Sequence, residues 1–167
     1  MINEWIRGHL RVSTDPKRLD LDVIHGFLSQ SSYWAEGIPR EVVERSIRNS
    51  IAFGVYDEDR QVGFARVVTD RATFAYLADV FVVEAYRGQG LCQWLLECVL
   101  AHPDLQGLRR WLLVTRDAHG LYARYGFGPP ADPGSLMEMR RTHGYSRNAM
   151  GVPFFPVPLV HPLEENA

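Results

Sequence analysis

Apolar residues recur at helical spacing in two stretches of the first fifty residues. The first helical stripe consists of Val23, Ile24, Phe27 and Leu28. Either Asp20 or Asp22 can cap this helix, because a carboxylate there accepts hydrogen bonds from the first backbone N–H groups. Pro39 suits the first turn of a second helix. The predicted core face of that second helix is Val42, Val43 and Ile47. We therefore expect two amphipathic helices joined by a polar and aromatic loop.

The pattern then changes to that of extended chain. Alternating apolar and polar residues predict three strands, at Ile51–Tyr56, Gln61–Thr69 and Thr73–Val83. A short strand at His9–Val12 is expected before the helices. Polar turns separate the three consecutive strands, so an antiparallel meander is the predicted arrangement.

A third pattern follows the meander. The run Arg87–Gly90 leads directly into a new helical stripe. That stripe consists of Leu91, Trp94, Leu95, Cys98 and Val99. The pair His102-Pro103 ends the helix, and Trp111–Val114 has the pattern of a buried strand. A strand, a helix and a strand in this order predict a parallel crossover.

The remaining chain completes the predicted domain. We expect a short helix capped by Asp117 and closed by Gly126, and then a strand at Leu136–Arg140. The prediction is one α+β domain over residues 1–150, with a mostly antiparallel central sheet, one parallel strand–helix–strand crossover and helices on both faces. The tail at residues 151–167 is rich in proline and is expected to lie extended on the surface.

Composition narrows the class of protein. The 167 residues are 46% hydrophobic and 23% charged, which is ordinary for a globular domain and excludes a disordered or collagen-like chain. The net charge of −2 and the lack of a Lys/Arg run argue against nucleic acid as a partner. No apolar run reaches membrane-spanning length, and the first residues do not resemble a signal peptide. We expect a cytoplasmic protein that does not bind a membrane.

Cysteine usage agrees with this expectation. Cys92 and Cys98 are six residues apart on one predicted helix, so their side chains point in different directions and a disulfide between them is not expected. The His and Cys residues show no zinc-type spacing, and no metal is expected. Two small buried hydrophobic residues are the simplest interpretation.

The glycine-rich run between a strand and a helix is a candidate anion site. A helix N-terminus presents unsatisfied N–H groups and partial positive charge, and glycine lets an anion approach the backbone closely. Arg87 adds a charge. A phosphate or pyrophosphate is therefore a natural ligand, although a tight turn without a ligand fits the same pattern. The dinucleotide fingerprint needs a glycine where Gln93 stands, and the lysine of the nucleotide-binding P-loop is missing.

Two segments resemble the signatures of the GNAT acetyltransferases. The run Arg87-Gly88-Gln89-Gly90-Leu91-Cys92 resembles their Q/R-x-x-G-x-G/A loop, with Cys92 as the departure at the last position. Leu121-Tyr122-Ala123-Arg124-Tyr125-Gly126-Phe127 resembles their L-Y-x-K/R-x-G-F segment. Between these two segments lie the one helix and one strand that the family has there. The resemblance covers residues 51–127 well and implies acetyl-CoA as the cosubstrate.

The resemblance also implies site residues. Backbone groups of Val80, Phe81 and Val82 would bind the pantetheine arm, and residues 87–92 would bind the pyrophosphate. Tyr122 would be the general acid that protonates the leaving thiolate, although a tyrosine packed in the core is the alternative. A homodimer is common among members of the family.

The general base and the acceptor amine each have more than one candidate. Asp79, a carboxylate in an apolar strand, is the first candidate base, and a structural ion pair is its alternative role. Glu36 is the second candidate base, in a loop that walls the acceptor site in the family. Trp34 and Tyr33 in that loop can stack on a substrate or cover the core, and we favour cover. The acidic candidates favour a cationic amine, so we expect an N-acetyltransferase of small primary amines. The alternatives are a non-catalytic acyl-CoA sensor and an acetyltransferase of protein N-termini or lysines.

Overall fold

A central sheet of six strands organises the part of the chain that the structure, a computed structural model, describes, namely residues 1–139. The strands are β1 (Glu4–Arg7), β2 (Leu10–Ser13), β3 (Ile51–Asp57), β4 (Arg60–Thr69), β5 (Phe74–Val82) and β6 (Arg110–Leu112). They lie side by side in sequence order, and each pairs antiparallel with the next as far as β5. The pair β5–β6 is parallel. The predicted meander and the parallel crossover are both confirmed.

Four α-helices accompany the sheet in these residues. They are α1 (Leu21–Gln30), α2 (Arg40–Arg48), α3 (Leu91–Leu100) and α4 (His119–Ala123). The Asp20 carboxylate caps α1, since it accepts hydrogen bonds from the backbone N–H groups of Asp22 and Val23 at 2.9 and 3.1 Å. Of the two candidate caps, Asp20 is therefore the one used. Pro39 immediately precedes α2.

The core divides into two clusters, one on each face of the sheet. Ile24 and Leu28 of α1 and Val43 of α2 pack with Phe64 and Phe81 on one face. The α3 stripe packs with the other face, and all of its members are buried: Leu91, Trp94, Leu95, Cys98 and Val99. Helices on both faces of one mostly antiparallel sheet are the predicted α+β architecture, which is confirmed.

The structure corrects several expected elements. Strand β1 was not predicted, because it lies at the sheet edge and three of its four residues are exposed, which leaves no apolar alternation. The last strand before α4 is shorter than predicted: β6 ends at Leu112, and Val114 is 72% exposed. The cap of α4 is also different, because Ala118 and not Asp117 occupies that position and no side chain caps it.

The predicted strand at Leu136–Arg140 is wrong for its described part. Leu136 to Met139 form no strand and follow a single 3₁₀ turn at Pro133–Ser135. The Pro-rich tail at residues 151–167 and the predicted domain end at residue 150 lie outside the described residues.

Candidate functional site

The parallel strands β5 and β6 separate after a short paired stretch. Phe74, Ala75 and Tyr76 pair with residues 110–112, and no β6 partner faces β5 from Leu77 onward. Among residues 1–139, one edge of β5 therefore has no neighbouring strand beyond Tyr76. A cavity of about 850 Å³ occupies the gap. Its walls come from β5, the segment after β6, α4 and the loop between α1 and α2.

A β-bulge at Asp79 redirects β5 beside this cavity. Asp79 has φ +53°, in the left-handed region, and the register with β4 shifts at this point. Before the bulge, Ala75 and Leu77 pack on the α3 side of the sheet, whereas after it Val80 and Val82 do. The side-chain alternation is therefore inverted by one inserted residue. Asp and Asn tolerate left-handed backbone better than most residues, which suits aspartate to this position.

The Asp79 carboxylate is held from two sides. Arg66 on β4 donates from Nε to one carboxylate oxygen. The Trp34 indole N–H donates to the other oxygen at 3.1 Å. The Asp79 side chain is only 10% exposed, and Arg66 supplies the cation that such burial requires. This contact also fixes Trp34, so the α1–α2 loop is joined to the bulge.

The glycine loop has the backbone conformation that only glycine adopts without strain. Gly88 and Gly90 have φ of +74° and +77°, and no atom lies closer than 4.0 Å to where a Cβ would stand on either. Gly90 is the N-cap of α3, and no side chain caps the helix. The first N–H groups of α3 therefore point into the exposed loop without a side-chain acceptor.

The other loop residues play different parts. Arg87 donates from Nε to the Val82 carbonyl at 3.1 Å, and Gln89 donates to the Ala85 carbonyl at 3.3 Å. Leu91 is buried, so only its backbone can meet a ligand. Cys92 is partly buried, and burial raises the pKa of its thiol to about 11, which keeps it protonated at neutral pH.

Tyr122 lines the cavity from α4. Within residues 1–139, its hydroxyl makes no hydrogen bond. Burial raises the pKa of Tyr122 above its ordinary value of 10, and nearby Cys92 and Asp117 act in the same direction. The phenol is therefore protonated at neutral pH and able to donate into the cavity. Tyr125 holds α4 against α3 by donating to the Gln93 carbonyl at 3.1 Å.

The α1–α2 loop closes the cavity with aromatic side chains. Tyr33 and Trp34 lie in an edge-to-face pair with centroids 5.0 Å apart, and both line the cavity. The Tyr33 hydroxyl accepts a hydrogen bond from the Arg116 backbone N–H at 2.9 Å. Trp34 is 41% exposed and also packs near Phe27, so it both covers apolar surface and faces the cavity.

The predicted site residues are only partly brought together. Asp79, Val80, Tyr122 and Trp34 line one cavity, whereas Glu36 is exposed and lies outside its lining. Phe81 and Val82 are buried and can offer only backbone groups.

Two arginines that line the cavity, Arg66 and Arg116, were not predicted from the sequence. No local signal marks Arg66, because its importance depends on the strand that lies beside it.

Comparison with known proteins places this geometry in a family. The model of the acetyltransferase (GNAT) domain matches residues 48–129. A Gibberella zeae protein assigned by name to the acetyltransferases is 34% identical, and the match covers 72% of this chain and 79% of that one. The chain belongs to the GNAT acetyltransferase family. The resemblance found in the glycine loop and the second signature is thereby confirmed.

Solved structures described as acetyltransferases share this fold. A protein from Xanthomonas campestris pv. campestris, assigned to the GNAT family, is 54% identical with a TM-score of 0.81, covering 85% of this chain and 100% of that one. A Clostridium acetobutylicum protein, described as an acetyltransferase with acetyl-CoA, has a TM-score of 0.54 at 15% identity and covers 84% of this chain and 96% of that one. The second likeness shows the fold alone. In residues 1–139, no helix has the length and apolar character needed to cross a membrane.

Proposed function

We propose that this protein transfers the acetyl group of acetyl-CoA to the primary amine of a small molecule. The observation that carries the proposal is the cavity between the separated strands. Within residues 1–139, the β5 edge without a partner strand and the Tyr122 hydroxyl without a hydrogen-bond partner lie on the same cleft. Membership of the GNAT family supports acetyl transfer, and the Clostridium acetobutylicum neighbour described with acetyl-CoA supports the cosubstrate.

The proposed coenzyme site uses two backbone regions, namely the β5 edge that has no partner strand in residues 1–139 and the start of α3, which no side chain of these residues caps. In this proposal, the pantetheine arm lies along Val80–Val82 like an added strand and takes hydrogen bonds from the backbone. The pyrophosphate lies at residues 87–92, where the glycines expose the N-terminal N–H groups of α3. A backbone N–H of β5 polarises the thioester carbonyl and stabilises the oxyanion that forms.

The reaction proceeds by direct attack. The neutral amine adds to the thioester carbonyl carbon, the C–S bond then breaks, and coenzyme A leaves as a thiolate. Tyr122 gives its proton to that thiolate, since a phenol near the sulfur is protonated at neutral pH. The adduct loses one amine proton to a base, and the base returns a proton to the Tyr122 phenolate through solvent, so the products are an amide and coenzyme A with the enzyme restored.

Asp79 is our proposed base, acting through water, and Glu36 is the second candidate. Asp79 lines the cavity, although Arg66 and Trp34 already contact its two oxygens. Glu36 is exposed. The matched test compares Asp79→Asn with Glu36→Gln, because each removes one carboxylate charge at nearly constant shape. Loss of the rising limb of kcat/KM against pH identifies the base, and a limb kept by both variants assigns the proton to solvent or substrate.

The decisive experiment is an acceptor screen with purified protein that reads release of free thiol from acetyl-CoA. Acetylation of small amines supports the proposal. Acetyl-CoA binding without transfer to any amine would favour a sensor domain. Transfer only to protein N-termini or lysines would show that the acceptor is a protein and not a small molecule. Binding should be measured separately by calorimetry, so that lack of turnover is not mistaken for lack of coenzyme.

A further inference from the structure

Charged side chains line the cavity from several parts of the fold. Five charged residues line it within the described chain, and two of them, Arg66 and Asp79, form an ion pair with each other. The other three are Arg116, Asp117 and Glu138. Asp117 and Glu138 line the cavity together with Tyr122, the proposed general acid. Negative charge therefore lies near the proposed reaction centre.

Arg116 is a cation that lines the cavity and for which residues 1–139 supply no carboxylate partner. Its guanidinium lies 3.8 Å from the centroid of the Tyr33 ring, in a stacking contact. Its backbone N–H is bonded to the hydroxyl of the same tyrosine. Among residues 1–139, no carboxylate oxygen lies within 4.0 Å of the guanidinium nitrogens. Arg116 is exposed and lines the cavity, so its guanidinium N–H donors are open to a ligand as far as residues 1–139 are concerned.

Tyr33 is itself held by neighbouring side chains, so the Arg116 guanidinium that stacks on it is preorganised for binding. Tyr33 packs edge-to-face on Trp34, and Trp34 donates to Asp79 at the bulge. These contacts run from β5 across the loop to Arg116. A planar guanidinium whose position is set before binding recognises a carboxylate or phosphate through paired hydrogen bonds, with less loss of side-chain entropy than a mobile lysine.

We infer that the acceptor is a small amine that also carries a carboxylate or phosphate group, and that Arg116 binds this anionic group. The inference rests on the proposed N-acetyltransferase function. It extends the expectation of a cationic acceptor: the ammonium end faces the acidic side of the cavity near Asp117, and the anionic end meets Arg116. Amino acids and amino phosphates have this chemistry, whereas simple polyamines do not.

Paired acceptors test the inference. Each amino acid is compared with its own amide, and phosphoethanolamine with ethanolamine, in wild type, Arg116→Gln and Arg45→Gln. Arg45 is an exposed arginine on α2 that lies outside the cavity lining, so its variant controls for loss of one positive charge. The readout is the ratio of kcat/KM for the anionic over the neutral member of a pair. Because both members of a pair are tested with the same protein variant, a general loss of activity cancels in the ratio.

We expect wild type to prefer the anionic member, and Arg116→Gln to reduce that preference about tenfold, the lower end for charge-assisted hydrogen bonds at an exposed site. Arg45→Gln should leave the ratio unchanged. The preferred type of pair distinguishes carboxylate from phosphate. Calorimetric titration of the N-acetylated product into the protein with coenzyme A gives a second measure that does not depend on turnover.

Two results would overturn the inference in different ways. If amines are acetylated but the neutral members are preferred, or if Arg116→Gln leaves the ratio intact, anion recognition is refuted and the proposed function stands. If acetyl-CoA binds and no amine of either type is acetylated, the proposed function fails and this inference fails with it. Arg116→Lys separates charge from geometry: it should recover only part of the preference, because lysine lacks the planar pair of donors.

Discussion

Replacing Tyr122 by Phe removes one oxygen atom from the cavity wall and keeps the ring. Within residues 1–139 that hydroxyl has no hydrogen-bond partner, so no partner is left unsatisfied when it is lost. The ring keeps its edge-to-face contact with Phe127, at a centroid distance of 6.0 Å. We therefore expect the variant to fold with a stability within about 0.5 kcal/mol of wild type, as for substitutions away from buried interactions.

The effect on catalysis should be much larger than the effect on stability. General acid assistance contributes about 10²- to 10⁴-fold, which corresponds to roughly 2.7–5.4 kcal/mol of transition-state stabilisation. Because the hydroxyl acts as the thiolate forms, the loss should appear in kcat, while coenzyme affinity changes little. The raised pKa of Tyr122 also predicts that wild-type activity does not decline below pH 10 through loss of this proton.

Tyr125→Phe is the matched control, since Tyr125 follows α4 closely and its hydroxyl bonds the Gln93 carbonyl at 3.1 Å and the Glu97 carboxylate at 3.3 Å. This control should lose about 0.5–1.5 kcal/mol of stability and keep the chemical step. Single-turnover acetyl transfer measures chemistry, and denaturant unfolding measures stability. The reasoning is refuted if Tyr122→Phe keeps its single-turnover rate, or if both variants lose activity in proportion to lost stability.

Two further predictions concern backbone and pH. Gly90→Ala should destabilise the protein by about 1–2 kcal/mol and weaken coenzyme A binding, because φ is +77° at this position. Gly26→Ala is the control: it lies inside α1 with open space around it and should stabilise the protein by about 0.4–1 kcal/mol. Chemical unfolding measures stability and calorimetry measures coenzyme A affinity; an unchanged affinity in Gly90→Ala would contradict the proposed site. His102 is 3% exposed, and burial lowers its pKa from 6.5, so the unfolded chain takes up its proton first and stability should decline as pH falls below about 6.5. A stability curve equally steep in His102→Gln would refute this assignment.

Elements that repeat a local pattern could be predicted from the amino-acid sequence. The α3 stripe, the meander strands and the turn glycines follow from periodicity and backbone preference, which are properties of neighbouring residues. The two GNAT-like segments also lie within local runs, so the family and the glycine loop were recognisable without coordinates. The failures came where local pattern is weak. Strand β1 has no buried face, and residues after Leu112 leave the sheet although Leu113 and Val114 are apolar.

The distribution of charge in the cavity depends on contacts between residues that are distant in the sequence. Arg66 and Asp79 belong to different strands, and they become neighbours because β4 and β5 pair with a bulge between them. Arg116 meets Tyr33 across 83 positions of sequence. Such contacts depend on strand register and on the position at which two strands separate, and neither can be predicted from local periodicity. Asp79, the candidate base, therefore meets Arg66 only when the sheet assembles. The same assembly places Arg116 at the cavity, without a carboxylate partner among residues 1–139.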